Sequence, residues 1–198
     1  RGNVIGQRLF LGLFTSSAYS ISPREIPLLR RKLQNVITRA QFGSSSHNGK
    51  ALANILETYP RDELFQISED DLFNTSLGIL HLQERQRVAL FTRRDTFDRY
   101  ISCLIFVPRD VYSMALRERL QEILEYTFNG NIAAHHIEFS DSALARLHIT
   151  VKTTPGEIPN YNVSKLEAEL VEQARTWTGA LLESLINTHG EARALEYS

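Results

Sequence analysis

Apolar side chains along this chain change their spacing once. In the first part they recur at intervals of three and four. Ile26, Leu29, Leu33, Val36 and Ile37 form one face of a helix opening at Ser22-Pro23-Arg24-Glu25, a capping box with proline in its first turn. Residues 49–59 predict a second helix stopped by Pro60, and Ser68 above Asp71 predicts the start of a third carrying Leu72, Leu77, Ile79 and Leu80 inward. From residue 87 the period falls to two. Residues 87–94 and 99–107 alternate as strands around a turn at 95–98, and Ile101, Cys103, Ile105 and Val107 share one face of the second. Leu104 and Phe106 weight its other face, as in a central strand. A helix over 111–128 follows, with Leu116, Leu120, Ile123 and Leu124 on one stripe and Asn129-Gly130-Asn131 as its stop. Strands over 132–139 and 144–153 and a linker at 156–162 come next. Ser164 and Glu167 then form a capping box for a long helix with Leu166, Leu170, Ala174, Trp177, Leu181 and Leu185 inward and Gly190 at its end.

From residue 87 the order is strand, strand, helix, strand, strand, helix. Moving the leading strand to the end gives the split βαβ arrangement of ferredoxin-like domains, four antiparallel strands with two helices on one face. The expected class is therefore α+β, with a ferredoxin-like domain over residues 87–198 preceded by a mainly helical segment over 1–86. A short apolar run at 8–14 predicts one strand within that segment, which closes a neighbouring sheet or ends a domain lying outside the sequence. Three Pro-Arg-acid triplets, at Pro23, Pro60 and Pro108, each read as a helix start, because proline at the first position loses no needed hydrogen bond and the acid meets the positive end of the dipole.

The last hairpin fixes its own register. Ala133, Ile137 and Phe139 on one strand and Ala145, Leu147, Ile149 and Val151 on the other are all odd-numbered, so paired residues must sum to an even number if these share the core face. His136 then faces His148, and Glu138 faces Arg146, on the opposite side, with Lys152 beyond and His135 turned toward the helices. Two imidazoles without a third ligand at fixed spacing make a poor metal centre, so no metal is expected. A polar sheet face or interface is the simpler reading.

Composition narrows the class further. Of 198 residues, 42% are hydrophobic and 23% charged, ordinary for a globular protein, and a net charge of −1 supplies no field for nucleic acid or membrane. No apolar stretch reaches the length of a membrane span. The one cysteine, Cys103, lies in an apolar strand, which excludes a disulfide framework, favours a cytoplasmic home and predicts an inert thiol. Asn74-Thr75-Ser76 and Asn162-Val163-Ser164 fit the glycosylation pattern but carry no weight without a secretory signal. The sequence begins at Arg1 rather than methionine, and it reads as a piece of a longer chain.

Cofactor fingerprints are missing. No G-x-G-x-x-G follows a strand, and the Gly43 to Gly49-Lys50 stretch has five residues between its glycines and Ala51 where a phosphate loop needs Ser or Thr. The strand at 100–107 lacks the glycine and basic start of an RNA-recognition strand, so no nucleic-acid partner is expected.

Several segments in order carry a resemblance. They are Leu11-Gly12-Leu13-Phe14-Thr15-Ser16; Ser22-Pro23-Arg24-Glu25-Ile26-Pro27-Leu28-Leu29-Arg30-Arg31-Lys32; Ser46-His47-Asn48-Gly49-Lys50-Ala51-Leu52; and Asn54-Ile55-Leu56-Glu57-Thr58-Tyr59-Pro60-Arg61-Asp62-Glu63-Leu64-Phe65. Ser102-Cys103-Leu104-Ile105-Phe106-Val107-Pro108-Arg109-Asp110 and Leu144-Ala145-Arg146-Leu147-His148 complete them. Over most of residues 8–153 this resembles the N-terminal region of the large bacterial NAD-specific glutamate dehydrogenases, with Asn48 departing from an expected aspartate. The resemblance implies a parent that oxidises L-glutamate to 2-oxoglutarate and ammonium with NAD in a domain far downstream, and an N-terminal part of ACT-like regulatory domains. No catalytic or cofactor-binding residue is carried over onto this segment. It also implies partners: other domains of the parent, further copies in a homo-oligomer, and an amino-acid effector. The strand-to-helix turn at Arg109 and Asp110 is the expected effector position. There a carboxylate would meet Arg109 and free N–H groups of the helix N-terminus, and Asp110 would take an amine. The competing expectation is a purely structural domain in which Arg109 pairs with a neighbouring helix.

Overall fold

A computed structural model describes residues 5–9, 11–140 and 142–175. The chain divides into two compact units, residues 1–76 and 77–198. The first is helical: α1 (Ser17–Ser20), α2 (Pro27–Ala40), α3 (His47–Glu57), α4 (Arg61–Gln66) and the opening turns of α5 (Glu69–Glu84). Its core joins Leu29, Leu33 and Val36 of α2, Leu52, Ile55 and Leu56 of α3, Leu64 of α4 and Leu72 of α5. Each such side chain withdrawn from water is worth about 1.5–3 kcal/mol.

Two expectations for this unit are corrected. Helix α2 begins at Pro27, not beside Pro23: a second proline four residues on forces Ile26 into extended backbone (φ −86°, ψ 117°), and the helix can start only after it. Ser22 instead accepts a hydrogen bond from the Arg24 N–H at 3.2 Å, and its hydroxyl donates to Glu57 of α3. Arg24 reaches the same carboxylate at 2.9 Å. The expected strand at 8–14 is also absent among the described residues of that run. Leu9, Leu11 and Leu13 are 88%, 98% and 97% exposed, because the described residues of this unit offer no strand edge for them to join. Phe14 stacks on Phe65 with ring centres 4.1 Å apart.

The caps are specific. Ser46 caps α3 by accepting the Gly49 N–H at 3.0 Å, and Ser68 accepts the Asp71 N–H at 3.1 Å at the head of α5, as its sequence predicts. Pro60 stands at the N-cap of α4 with Asp62 and Glu63 in the first turn, so the second triplet does open a helix. Lys32 turns inward from α2 and donates to the carbonyls of Leu64 (2.9 Å) and Ile67 (2.7 Å), neutralising the negative end of α4. Leu77, expected inward, is only half-buried.

The second unit is a four-stranded antiparallel sheet: β1 (Ala89–Arg94), β2 (Tyr100–Pro108), β3 (Asn131–Phe139) and β4 (Leu144–Lys152), in the order β1-β2-β4-β3. With α6 (Met114–Phe128) and α7 (residues 163–175), it reproduces the ferredoxin-like topology after the leading strand is moved to the end. Odd positions of β2 and β4 join Leu116, Leu120, Ile123, Leu124 and Phe128 of α6 and Leu166, Leu170 and Ala174 of α7 in one core. Buried Cys103 lies within it. On the other face, Phe91 lies against Gly78 of α5, where a Cβ would come within 2.6 Å of the ring.

Helix ends again move by a few residues. α6 starts at Met114 because Ser113 caps it, accepting the Leu116 N–H at 3.1 Å, so the third triplet forms the preceding turn rather than the helix start. α7 is capped by Asn162, which accepts the Lys165 N–H at 3.0 Å, ahead of the expected Ser164. Trp177, Leu181, Leu185 and Gly190 lie outside the described residues. α6 ends as predicted at Asn129, left-handed at φ 48°, with the N–H of Gly130 reaching the Glu125 carbonyl at 3.0 Å. A Cβ on Gly130 would lie 2.4 Å from the Lys152 carbonyl oxygen, which is why glycine follows.

The β1–β2 turn is built on one carboxylate. Asp95, 4% exposed, accepts from Arg99 Nε (2.7 Å) and Nη2 (3.0 Å) and from the N–H groups of Phe97 (3.1 Å) and Arg99 (3.2 Å). The Arg99 guanidinium, with these N–H donors, holds its carboxyl well below the usual range against the opposing effect of burial. Asp98 closes the turn in left-handed backbone at φ 57°, paired with Arg94. Among the described residues, no helix is long and apolar enough to cross a membrane.

Candidate functional site

The Arg109–Asp110 turn is closed by its own backbone: the N–H groups of Val111 and Tyr112 both reach the Pro108 carbonyl at 3.1 Å. The Arg109 N–H reaches Ala143 at 2.9 Å, tying the turn to the start of β4. Its side chain does not project toward α6. Arg109 Nη1 donates to the Ser140 carbonyl at 3.1 Å, and the guanidinium lies 5.5 Å from the centre of the Phe139 ring. Phe139 in turn meets Tyr112 edge to face at 5.3 Å. Both Arg109 and Asp110 are exposed. The turn thus offers a ligand the outer donors of Arg109 and the Asp110 carboxylate, with one helix N–H already taken by Ser113.

On the sheet, the predicted register is observed: His136 opposite His148 and Glu138 opposite Arg146. A register shift between Ile132 and Ala134 absorbs one extra residue, so the even-sum rule applies from Ala134 onward. Arg146 and Glu138 form an ion pair. The two histidines have different surroundings. His148 Nε2 is 2.9 Å from the hydroxyl of Ser102, itself 3% exposed, whereas His136 on the edge strand is exposed. His135 is exposed too, because β3 is the sheet's outer strand. Among the described residues, no group of three His, Cys, Asp or Glu comes together. Toward β1 this face carries the buried side chains of Leu104 and Phe106, but it stays polar at its other end, where Arg93 of β1 stands opposite Ser102 and donates to the Tyr100 hydroxyl at 3.3 Å.

Ser102 and the Asp95–Arg99 latch were not singled out in the sequence. Ser102 had a readable signal, as the one hydroxyl within the apolar run of β2, on the face that β4 shows to be His148's. Asp95 had a weaker one: an acid four residues before an arginine across a predicted turn.

Comparison with known proteins places this geometry. Residues 26–85 match the model for "Glutamate dehydrogenase, helical motif 1" and residues 89–178 the model for "Glutamate dehydrogenase, ACT2 domain". Similar proteins include NAD-specific glutamate dehydrogenases of Halomonas elongata, 47% identical over 194 residues, and Pseudomonas aeruginosa, 37% over 193. One from Mycobacterium tuberculosis is 29% identical over 211 residues. These alignments take in 98–100% of this chain but only 12–13% of the relatives' length. With two adjoining family models laid in order over the helical unit and the ferredoxin-like unit, the chain belongs to the NAD-specific glutamate dehydrogenase family, of which it carries helical motif 1 and the ACT2 domain.

Proposed function

We propose that this chain is a non-catalytic regulatory and assembly module of a cytoplasmic enzyme that converts L-glutamate, NAD and water to 2-oxoglutarate, ammonium and NADH. NAD and the catalytic groups belong to other domains of the parent. The observation that carries this reading is the ACT2 match coinciding with a complete ferredoxin-like sheet and both its helices. Assembly is supported by β3, whose outer edge pairs with no strand among the described residues, and by large exposed side chains on α6 and β3: Met114, Phe139 and, at 90% exposure, Tyr126. Sedimentation equilibrium should show self-association that Tyr126→Glu weakens. A chain that remains monomeric throughout would remove the assembly half of the proposal.

For regulation, the Arg109–Asp110 turn is the proposed effector position, an amino acid placing its carboxylate on Arg109 and its amine on Asp110. One observation favours the structural alternative: Arg109 already fastens Ser140 and covers Phe139. Calorimetric titration with a panel of amino acids separates the two. Heat with one of them, lost in Arg109→Gln, supports the effector reading; no heat with any, on a folded sample, leaves the structural one.

A further inference from the structure

Within the second unit a cavity of about 430 Å³ opens between the end of α5, the connection at 85–88, the start of β1 and the first turn of α7. Its size suits a small metabolite. One side is apolar, formed by Leu82, Ala89 and Phe91. Gly78 leaves that side clear, since a side chain there would run into the Phe91 ring.

The other side is cationic. Glu167 is the one carboxylate among the described residues that line it, and both oxygens are committed: Oε1 accepts Arg87 Nη1 at 2.7 Å, and Oε2 accepts the Leu90 N–H at 3.0 Å. This arrangement fixes Arg87, which also donates to the Val88 carbonyl at 3.2 Å. Arg85 is exposed on the same wall and, among the described residues, has no hydrogen-bond or ion-pair partner, while His81 adds a ring nitrogen from the last turn of α5. Among the described lining residues, two guanidinium groups against one carboxylate leave a net positive charge even with His81 neutral. Such a lining repels cations and is matched by an oxyanion, for which guanidinium offers paired donors.

We propose that this cavity binds a small oxyanion, a carboxylate or a phosphate, through Arg85 and the outward donors of Arg87, with any apolar part of the ligand against Phe91 and Leu82. The site is separate from the Arg109–Asp110 turn and does not rest on the assembly reading. The test is titration of the isotope-labelled 198-residue chain, at constant ionic strength, with sodium hexanoate and, separately, with inorganic phosphate, following the amide signals of Gly78, Ala89 and Phe91. Saturable shifts at these amides with hexanoate assign a carboxylate with an apolar tail; saturable shifts with phosphate assign a phosphoryl group. Either supports the site, provided that Arg85→Gln weakens binding at least about tenfold, roughly 1.4 kcal/mol. Because Arg85 is exposed, this variant should retain the wild-type melting temperature and spectrum outside the cavity. No saturable shift with either salt, or shifts unchanged in Arg85→Gln, would overturn the proposal.

Discussion

Replacing Asp95 by Asn tests the β1–β2 turn at its centre. The amide is nearly the same size, so the cavity is unchanged, but it carries no charge and presents a donor where the carboxylate had an acceptor. Asp95 accepts four hydrogen bonds, two from backbone N–H groups and two from Arg99. The variant keeps one oxygen to serve the backbone and loses the paired contact with Arg99. That guanidinium is 58% exposed and finds water instead, so the loss lies near the lower end for hydrogen bonds to charged groups, about 2 kcal/mol. For a unit of this size, that corresponds to a fall in Tm of roughly 6–12 °C. Acid provides an internal control. The folded-state pKa of Asp95 is depressed, so its contribution is complete above the unfolded value of about 3.9 and is lost as pH falls through the folded value. Urea unfolding followed by circular dichroism should show a constant gap between wild type and Asp95→Asn from pH 7 to pH 5, narrowing below about pH 4. A gap under about 0.5 kcal/mol at pH 7, or one that persists undiminished in acid, would refute the assignment of this stability to the ionised carboxylate.

Two further substitutions probe the helix ends. Gly130→Ala drives a Cβ to within 2.4 Å of a β4 backbone oxygen that the ladder holds in place, and should cost about 1–3 kcal/mol in urea unfolding, whereas Asn129→Gly should be neutral or stabilising because only the left-handed backbone is at stake. Lys32→Met preserves side-chain length but removes both donors to the end of α4; it should lower stability by about 1.5–3 kcal/mol and speed amide exchange in α4.

The second unit was more legible in the sequence than the first. Its strands announced themselves because both faces of the sheet impose a period of two, and the parity of Ala145, Leu147, Ile149 and Val151 left one register for the His136 and Glu138 pairs. The helix starts were less legible because caps compete locally. Pro27 overrode Pro23, Ser113 overrode the Pro108 triplet, and Asn162 preceded Ser164, each by a difference of a few residues that periodicity does not see. The run at 8–14 has the pattern of a strand, yet a strand exists only where another edge accepts it, and no sequence window records its partner. The anionic-ligand cavity was invisible for a related reason. Arg85, Arg87 and Glu167 come from segments some eighty residues apart, and only the meeting of α7 with β1 gives them a common purpose.

The Glu167–Leu90 hydrogen bond makes the two sides of the sheet unequal. On β1 an acceptor from α7 occupies an outward N–H, the strand has only six residues, and Arg93 and Arg94 end it with charge. β3 has nine residues, and beyond its bulge the run from Ala134 to Phe139 keeps a regular ladder. Growth of this sheet by added strands therefore has a direction. A second copy joining at β3 through a twofold axis would meet a blunted margin at each far end, so the layer would stop at a closed pair instead of propagating into a fibre.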